Sequence, residues 1–206
     1  MNWEAFLVPY VQVVEELKVK LRGMRAQYEY GSEHSPIEFV TGRVKPVRSI
    51  LDKVSRKLIP LDNIEKEIQD IAGVRVVCQF VDDIYTVIEM LRARNDFHII
   101  EEKDYVSKKK DSGYRSYHMI IRYPVETISG EKQVIAEIQI RTLAMNFWAT
   151  NEHSINYKYE GQIPKDLKAR LKVAAEAAFN LDEEMSKIRD EVQEAQRIYR
   201  QNKNKH

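Results

Sequence analysis

The run from Lys165 to about Arg200 limits what this chain can fold into more than any other stretch. Leu167, Leu171, Ala174, Ala178, Leu181, Met185, Ile188, Val192, Ala195 and Tyr199 recur in alternating steps of four and three, with acids and bases elsewhere. That is a heptad seam along one long helix. Such a helix reaches beyond what one small sheet can bury, so its far part is expected to pack on another helix or another subunit.

The N-terminal end is helical as well. Over residues 4–29, Phe6, Tyr10, Val13, Leu17, Leu21, Met24 and Tyr28 give one apolar face, with Lys18, Lys20, Arg22 and Arg25 on or near the polar side. Gly31, Ser35 and Pro36 break it. Gly42 and Pro46 predict a turn and a helix start. A basic helix follows, with Ile50, Val54 and Leu58 as its stripe. A short acidic helix capped by Asp62 is expected over 62–69.

In the middle the period changes. Residues 71–80 are rich in β-branched side chains and read as a buried strand. Asp82 is the candidate cap of a helix ending near Ala93. Phe97 to Tyr105 and Tyr117 to Val125 read as strands, and Ser129-Gly130 as a turn. In QVIAEIQIRT, Val134, Ala136, Ile138 and Ile140 point one way, and Glu137, Gln139 and Arg141 the other, with Ile135. A helix over 143–157 follows. Helical ends around a strand-rich centre predict an α+β fold with a mixed sheet.

The 206 residues carry 33 basic and 32 acidic side chains, a net charge of +1. That balance gives no global pull toward nucleic acid or membrane, so an anionic ligand must meet a local cluster of cations. The single cysteine, Cys78, excludes an internal disulfide and reads as a small core residue. The N-terminus lacks the pattern of a signal peptide, and no apolar run approaches the roughly 20 residues of a membrane helix. A cytoplasmic location is expected.

Four constellations could carry chemistry. Asp70 stands just ahead of the strand containing Gly73 and Arg75. It could simply pair with that Arg, or both could serve a site. Glu137, Gln139 and Arg141 share one face of an alternating strand, which alone would be its solvent side. With Asp70 as a second carboxylate, the two strands could hold Mg²⁺ through hard oxygen ligands. KKKDSGYRSYH joins a basic run to alternating aromatics that can stack on bases. GRVK at 42–45, with Arg56, is a phosphate-sized basic cluster. No Walker A or GxGxxG pattern is present, so phosphates would have to be met by Arg and Lys side chains.

Together HSPIEFVTGRVKPV, QDIAGVRVVCQFVDDI, SGYRSYH, EIQIRTLAMNFWATNEHSINYKY and LDEEMSKIRDEVQEAQ resemble the synthetase domain of the RelA/SpoT family, and within it the stand-alone small alarmone synthetases of the RelQ type. The resemblance implies a nucleotidyltransferase-like mixed sheet flanked by helices, with 1–160 as the synthetase domain and 161–206 as a helical extension for oligomerisation. It implies transfer of the β,γ-pyrophosphate of ATP to the 3′-hydroxyl of GDP or GTP, giving ppGpp or pppGpp and AMP. By position, Asp70 resembles the Mg²⁺ ligand and Glu137 the second ligand or the base. Arg43, Lys45, Arg56 and Arg75 resemble the ATP side. Tyr114 resembles the guanine-stacking residue, with Lys110, His118 and Gln139 beside it. Glu152, His153, Tyr157 and Lys158 match a further motif of the site.

Bifunctional family members add a hydrolase domain with a His-Asp pair and Mn²⁺. No His-Asp dipeptide occurs in this sequence, so synthesis alone is expected. The RelQ-type resemblance also implies a homotetramer whose central cleft binds pppGpp as an activator, at Lys18, Arg22, Arg25, Glu38, Phe39, Thr41 and Asn146. The plain alternative for the three cations is a solvated helix face. The competing class of function is a catalytically weak nucleotide or single-stranded RNA-binding module using the same basic and aromatic face. Carboxylates beside phosphate sites speak for the enzyme, because like charges repel.

Overall fold

Helix α1 (Trp3–Tyr30) begins where the Asn2 side chain accepts the Ala5 N–H at 3.2 Å. It buries Tyr10, Val13, Val14, Leu17 and Leu21 on one side. Each such side chain contributes roughly 1.5–3 kcal/mol on leaving water. The computed structural model describes residues 2–31, 34–159 and 163–203, without the side chains of Tyr157 and Lys158.

What α1 covers is one face of a sheet built from β1 (Phe39–Val44), β2 (Ala72–Cys78), β3 (His98–Asp104), β4 (Tyr117–Thr127) and β5 (Gly130–Thr142). The spatial order is β1-β2-β5-β4-β3. The pair β2 and β5 is parallel and the other neighbours are antiparallel, so the sheet is mixed. Val40, Val74, Val76, Val134, Ala136, Ile138 and Ile140 share a core with the buried side of α1. Ile84, Val87, Ile88 and Leu91 of α4 (Val81–Arg92) complete it. Cys78 is buried there as expected, and burial pushes its thiol up.

Four local expectations need correction. Gly42 lies inside β1 and makes no turn. A Cβ there would come within 2.7 Å of Val14 Cγ1, so the glycine lets α1 close onto the sheet edge. Leu58 is no part of the stripe on α2 (Val47–Lys57); it ends that helix in a left-handed conformation and is exposed. Residues 62–69 form a 3₁₀ turn (Leu61–Asn63) and one turn of helix, α3 (Ile64–Glu67), without a side-chain cap. At α4 the Asp83 carboxylate, not Asp82, accepts the Phe80 N–H at 3.1 Å, while Asp82 pairs with Arg189 at 2.8 Å.

Helix α5 (Leu143–Lys158) leaves β5 directly, started by Thr142, whose hydroxyl accepts the Met145 N–H. It packs against α6 (Lys165–Lys203), and among the described residues no helix is long and apolar enough to cross a membrane. Helix α6 has two working faces. Leu181, Met185, Ile188 and Val192 of the heptad seam are largely exposed, between 44 and 56%. A second face, with Ala175, Phe179, Asp182 and Arg189, meets the body of the same chain.

Asp182 is the costly member of that face. Its carboxylate accepts the Thr142 hydroxyl at 2.6 Å. Burial pushes it up to about 6, outweighing the Thr142 hydroxyl and the Arg115 charge. Between the ordinary aspartate value and about 6, the folded state holds a proton that the unfolded chain has released. Stability therefore falls as pH rises through that window and stays lower above it. Asp182→Asn keeps an oxygen for Thr142 and removes the charge. It should add about 1–3 kcal/mol of stability at about pH 7.5, a gain that largely vanishes at about pH 4. Melting curves of the two proteins across this range check it; a pH-independent difference would contradict it.

Candidate active site

Strand pleating sorts the polar side chains onto the face opposite α1. Register then lines them into rows. Thr41 pairs with Arg75, Arg75 with Gln139, and Gln139 with His118. Two residues along, Arg43 pairs with Gly73 and Gly73 with Glu137. The rung between them, Gly42, Val74, Ile138 and Met119, belongs to the apolar face. The polar rows floor a cleft of about 620 Å³. Ala149, Thr150, Glu152 and His153 of α5 wall one side, and Lys110, Ser112 and Tyr114 from the β3–β4 loop wall another. Gly73 keeps the floor open between Arg43 and Glu137.

Asp70 reaches the same cleft from the turn before β2. Its oxygens accept from Lys53 Nζ at 2.7 Å and Lys45 Nζ at 2.9 Å. Burial alone would raise its pKa; the two ammonium groups reverse this and hold the carboxyl below the usual range. The ion pair of Asp70 with Arg75, one of the two readings of that pair of residues, is therefore not what forms.

Glu137 closes a ring of hydrogen bonds. His118 Nδ1 donates to its Oε1 at 2.8 Å, and Gln139 Nε2 to its Oε2 at 2.7 Å. A carboxylate only accepts, so His118 carries its proton on Nδ1. In the neutral ring Nε2 then accepts from the Tyr114 hydroxyl, 2.7 Å away. Arg141 Nη2 donates both to the Tyr114 oxygen (2.6 Å) and to Gln139 Oε1 (2.7 Å). Both arms thus start on one buried guanidinium and end on one carboxylate. Burial works against the Glu137 charge, but His118 and Gln139 outweigh it and keep the group ionised.

Beside this ring stands a group of cations. Arg75 is pushed down to about 10, by burial first and then by the charges of Arg141 and Arg43. Among the described residues its buried Nε has no hydrogen-bond partner. His153 is lowered as well, by burial and then by Arg43, with Glu152 opposing. Like charges crowded around a buried, unpaired donor are the electrostatic signature of a site for a polyanion.

Arg43, Asp70, Arg75, Lys110, Tyr114, Glu137, Gln139, Glu152 and His153 thus share one cleft. His118 stands in the same polar row but outside the cleft lining, bonded to Glu137 and Tyr114, and Lys45 joins through Asp70. Arg56 is exposed on α2 and outside the cleft lining. The side chains of Tyr157 and Lys158 fall outside the described residues. In the proposed effector set, Arg22 donates to the Val40 carbonyl at 3.3 Å and Arg25 to the Glu38 carbonyl. Lys18 packs beside Gly42, so these cations line the edge of β1 as well as facing solvent. Glu38 accepts from Gln79, Thr41 reaches the catalytic cleft, and Asn146 Oδ1 is buried without a partner among the described residues.

The sequence pattern puts Arg141 and Ser112 inside candidate constellations but assigns them no role at the site, and it singles out neither Lys53 nor Thr150. Arg141 was visible in the alternation with Glu137 and Gln139, and Lys53 in the basic helix. Their partners, Tyr114 and Asp70, come from distant segments. As for a metal, the carboxylates of Asp70 and Glu137 line one cleft and would offer hard oxygen ligands to Mg²⁺, with their oxygens held here by Lys45, Lys53, His118 and Gln139.

Residues 42–162 match the family described as the region found in RelA/SpoT proteins. The GTP pyrophosphokinase YjbM of Bacillus subtilis is 65% identical over 202 residues, 98% of this chain and 95% of that protein. The GTP pyrophosphokinase YwaC of the same organism is 42% identical, over 93% of this chain and 92% of that protein. Among solved structures, small alarmone synthetase 1 from Bacillus subtilis bound to its product pppGpp superposes with a TM-score of 0.91 at 66% identity, covering 93% of this chain and 98% of that one. The chain belongs to the RelA/SpoT family.

Proposed function

We propose that the cleft transfers the β,γ-pyrophosphate of ATP to the 3′-hydroxyl of GDP or GTP, making ppGpp or pppGpp and releasing AMP. The observation that carries this reading is a hydrogen-bonded carboxylate, Glu137, on the same floor as a crowded cation group whose buried Arg75 Nε lacks a partner. Similarity to the GTP pyrophosphokinases supports it.

On the donor side, Arg43 and Arg75 grip the ATP phosphates and stack on adenine, with Lys45 adding charge and Arg56 contributing from α2 outside the cleft lining. On the acceptor side, Tyr114 stacks on guanine, with Lys110, His118 and Gln139 beside it and Glu152 and His153 opposite. Asp70 and Glu137 would hold Mg²⁺, which supplies charge neutralisation at the phosphates. The 3′-oxygen attacks the β-phosphorus, the bond from that phosphorus to the AMP oxygen breaks, and Glu137 takes the hydroxyl proton. A carboxylate held ionised is a weak base toward a free alcohol. It suits a proton that turns acidic only as the new P–O bond forms. Little covalent work remains, so positioning and charge carry the rate.

Within this reading, 1–160 is the catalytic domain and 161–206 the oligomerising extension, and the protein works in the cytoplasm on synthesis alone. The exposed seam of α6 closes a homotetramer, and pppGpp binds between subunits at Lys18, Arg22, Arg25, Glu38, Phe39, Thr41 and Asn146 as an activator.

Glu137→Gln and Asp70→Asn should each lower the rate of AMP and ppGpp formation by about 10²-fold or more while the protein stays folded. Near-normal turnover by folded Glu137→Gln would sink the assignment. Light scattering should give about four chain masses. Added pppGpp should raise the initial rate of the wild type and not of Arg25→Ala; a monomer, or equal responses, would reject the effector site.

A further inference from the structure

The loop between β3 and β4 carries Lys110 and Tyr114 into the cleft, and it is held from two sides. Inside, Tyr105 N–H donates to the Ser116 carbonyl (3.0 Å), Gly113 N–H to the Lys110 carbonyl (2.8 Å) and Lys110 N–H to the Tyr114 carbonyl (3.1 Å). The Lys110 ammonium lies over the rings of Tyr105 at 4.4 Å and Tyr114 at 4.8 Å. These bonds shape the loop, and from the inner side the Tyr114 hydroxyl ties it to the sheet at Arg141 and His118.

The outer side of the loop rests on α6. Gly113 has φ +88°, and a Cβ on it would come within 2.5 Å of Ala175 Cβ. One helical turn further, the Arg115 guanidinium lies over the Phe179 ring at 3.7 Å while its Nη1 donates to the Val106 carbonyl at 2.7 Å. Lys109 pairs with Glu176, but that pair is exposed and screened and holds little. The helix is itself pinned beside the site. Trp148 Nε1 donates to the Leu171 carbonyl at 2.9 Å, and the Thr142 hydroxyl to Asp182 at 2.6 Å.

We propose that the first half of α6 is a splint for this loop, and that Phe179, Arg115 and Ala175 are positioning residues for the nucleotide acceptor. They touch no reacting atom. Ala175 acts through Gly113, and Phe179 through Arg115, on the flanks of Lys110 and Tyr114. The proposal rests on the reading that these two residues hold the guanosine acceptor. A loop already ordered before binding spares the acceptor the cost of ordering it. The donor side is built on β1, β2 and α2, away from the Gly113 and Arg115 contacts with α6. Disturbing Phe179 should therefore weaken the acceptor selectively.

Phe179→Leu keeps apolar volume and removes the ring face under Arg115; Phe179→Tyr keeps the face. With Phe179→Leu the KM for GDP should rise about 3- to 10-fold, as loss of a partly buried cation–π contact allows. The KM for ATP and kcat should stay within about twofold, and Phe179→Tyr should return the GDP value to that of the wild type. Gly113→Ala, which forces the loop off Ala175 by a separate route, should also raise the GDP KM. Limited trypsin digestion gives a readout without catalysis. Cleavage after Lys108, Lys109 or Lys110 should be several-fold faster in Phe179→Leu than in the wild type, because a released loop enters a protease more readily. An unchanged GDP KM in both variants, an equal rise for ATP and GDP, or unchanged cleavage would overturn the splint. A wild-type protein that makes no pyrophosphorylated guanosine would instead reject the reading of the site, and the cleavage rates would still decide whether α6 holds the loop.

Discussion

The parallel pairing of β2 with β5 is the constraint on which the site depends. It sets Gly73 against Glu137 and Arg75 against Gln139, and so brings the carboxylate and the cations onto one floor. A slip of one residue would turn Glu137 and Arg141 into the core and leave Ile138 in the cleft, reversing every burial term at once. The apolar face therefore enforces the polar one. Val74, Ile138 and Met119 can be buried under α1 only in the register that also builds the rows above.

On that floor the charges are arranged in opposition. Arg141 directs donors along two arms to Glu137, and Lys45 and Lys53 satisfy Asp70. Arg75 is left pressed by Arg43 and Arg141, with its Nε unpaired among the described residues. A protein selected for stability alone would pair or remove such a donor, since an unsatisfied buried group costs about 1–3 kcal/mol. A polyanionic substrate turns that cost into binding energy. The same logic separates this surface from a simple nucleic-acid binder, where carboxylates among the phosphate contacts would oppose the ligand.

How much of this could be read from residues alone follows from what each pattern encodes. The alternation of β5 was legible because one face is uniformly apolar and period two leaves no choice. The outward seam of α6 was legible for a similar reason. Its inward face was not: Ala175, Phe179, Asp182 and Arg189 are chemically mixed, and their partners are Gly113, Arg115, Thr142 and Asp82 in three other segments. Gly42 shortly before Pro46 mimics a turn, yet its missing side chain makes room for Val14 from a distant helix. Asp82 is the cap that local pattern suggests, yet it is the neighbouring Asp83 whose carboxylate turns back to accept the Phe80 N–H. Ring closure through Tyr114, His118, Glu137, Gln139 and Arg141 needs the β4–β5 register, which local pattern does not contain.

The most direct test of one cleft joining a pyrophosphate donor to a guanosine acceptor is to follow both halves of ATP in a single reaction. Purified protein is incubated with Mg²⁺, GDP and ATP labelled in the γ-phosphate, and the nucleotides are separated. The account predicts AMP and labelled ppGpp in equal amounts, with the label in a group attached at the 3′-oxygen. Release of ADP with a singly phosphorylated product, or labelled pyrophosphate with no guanosine product, would contradict it.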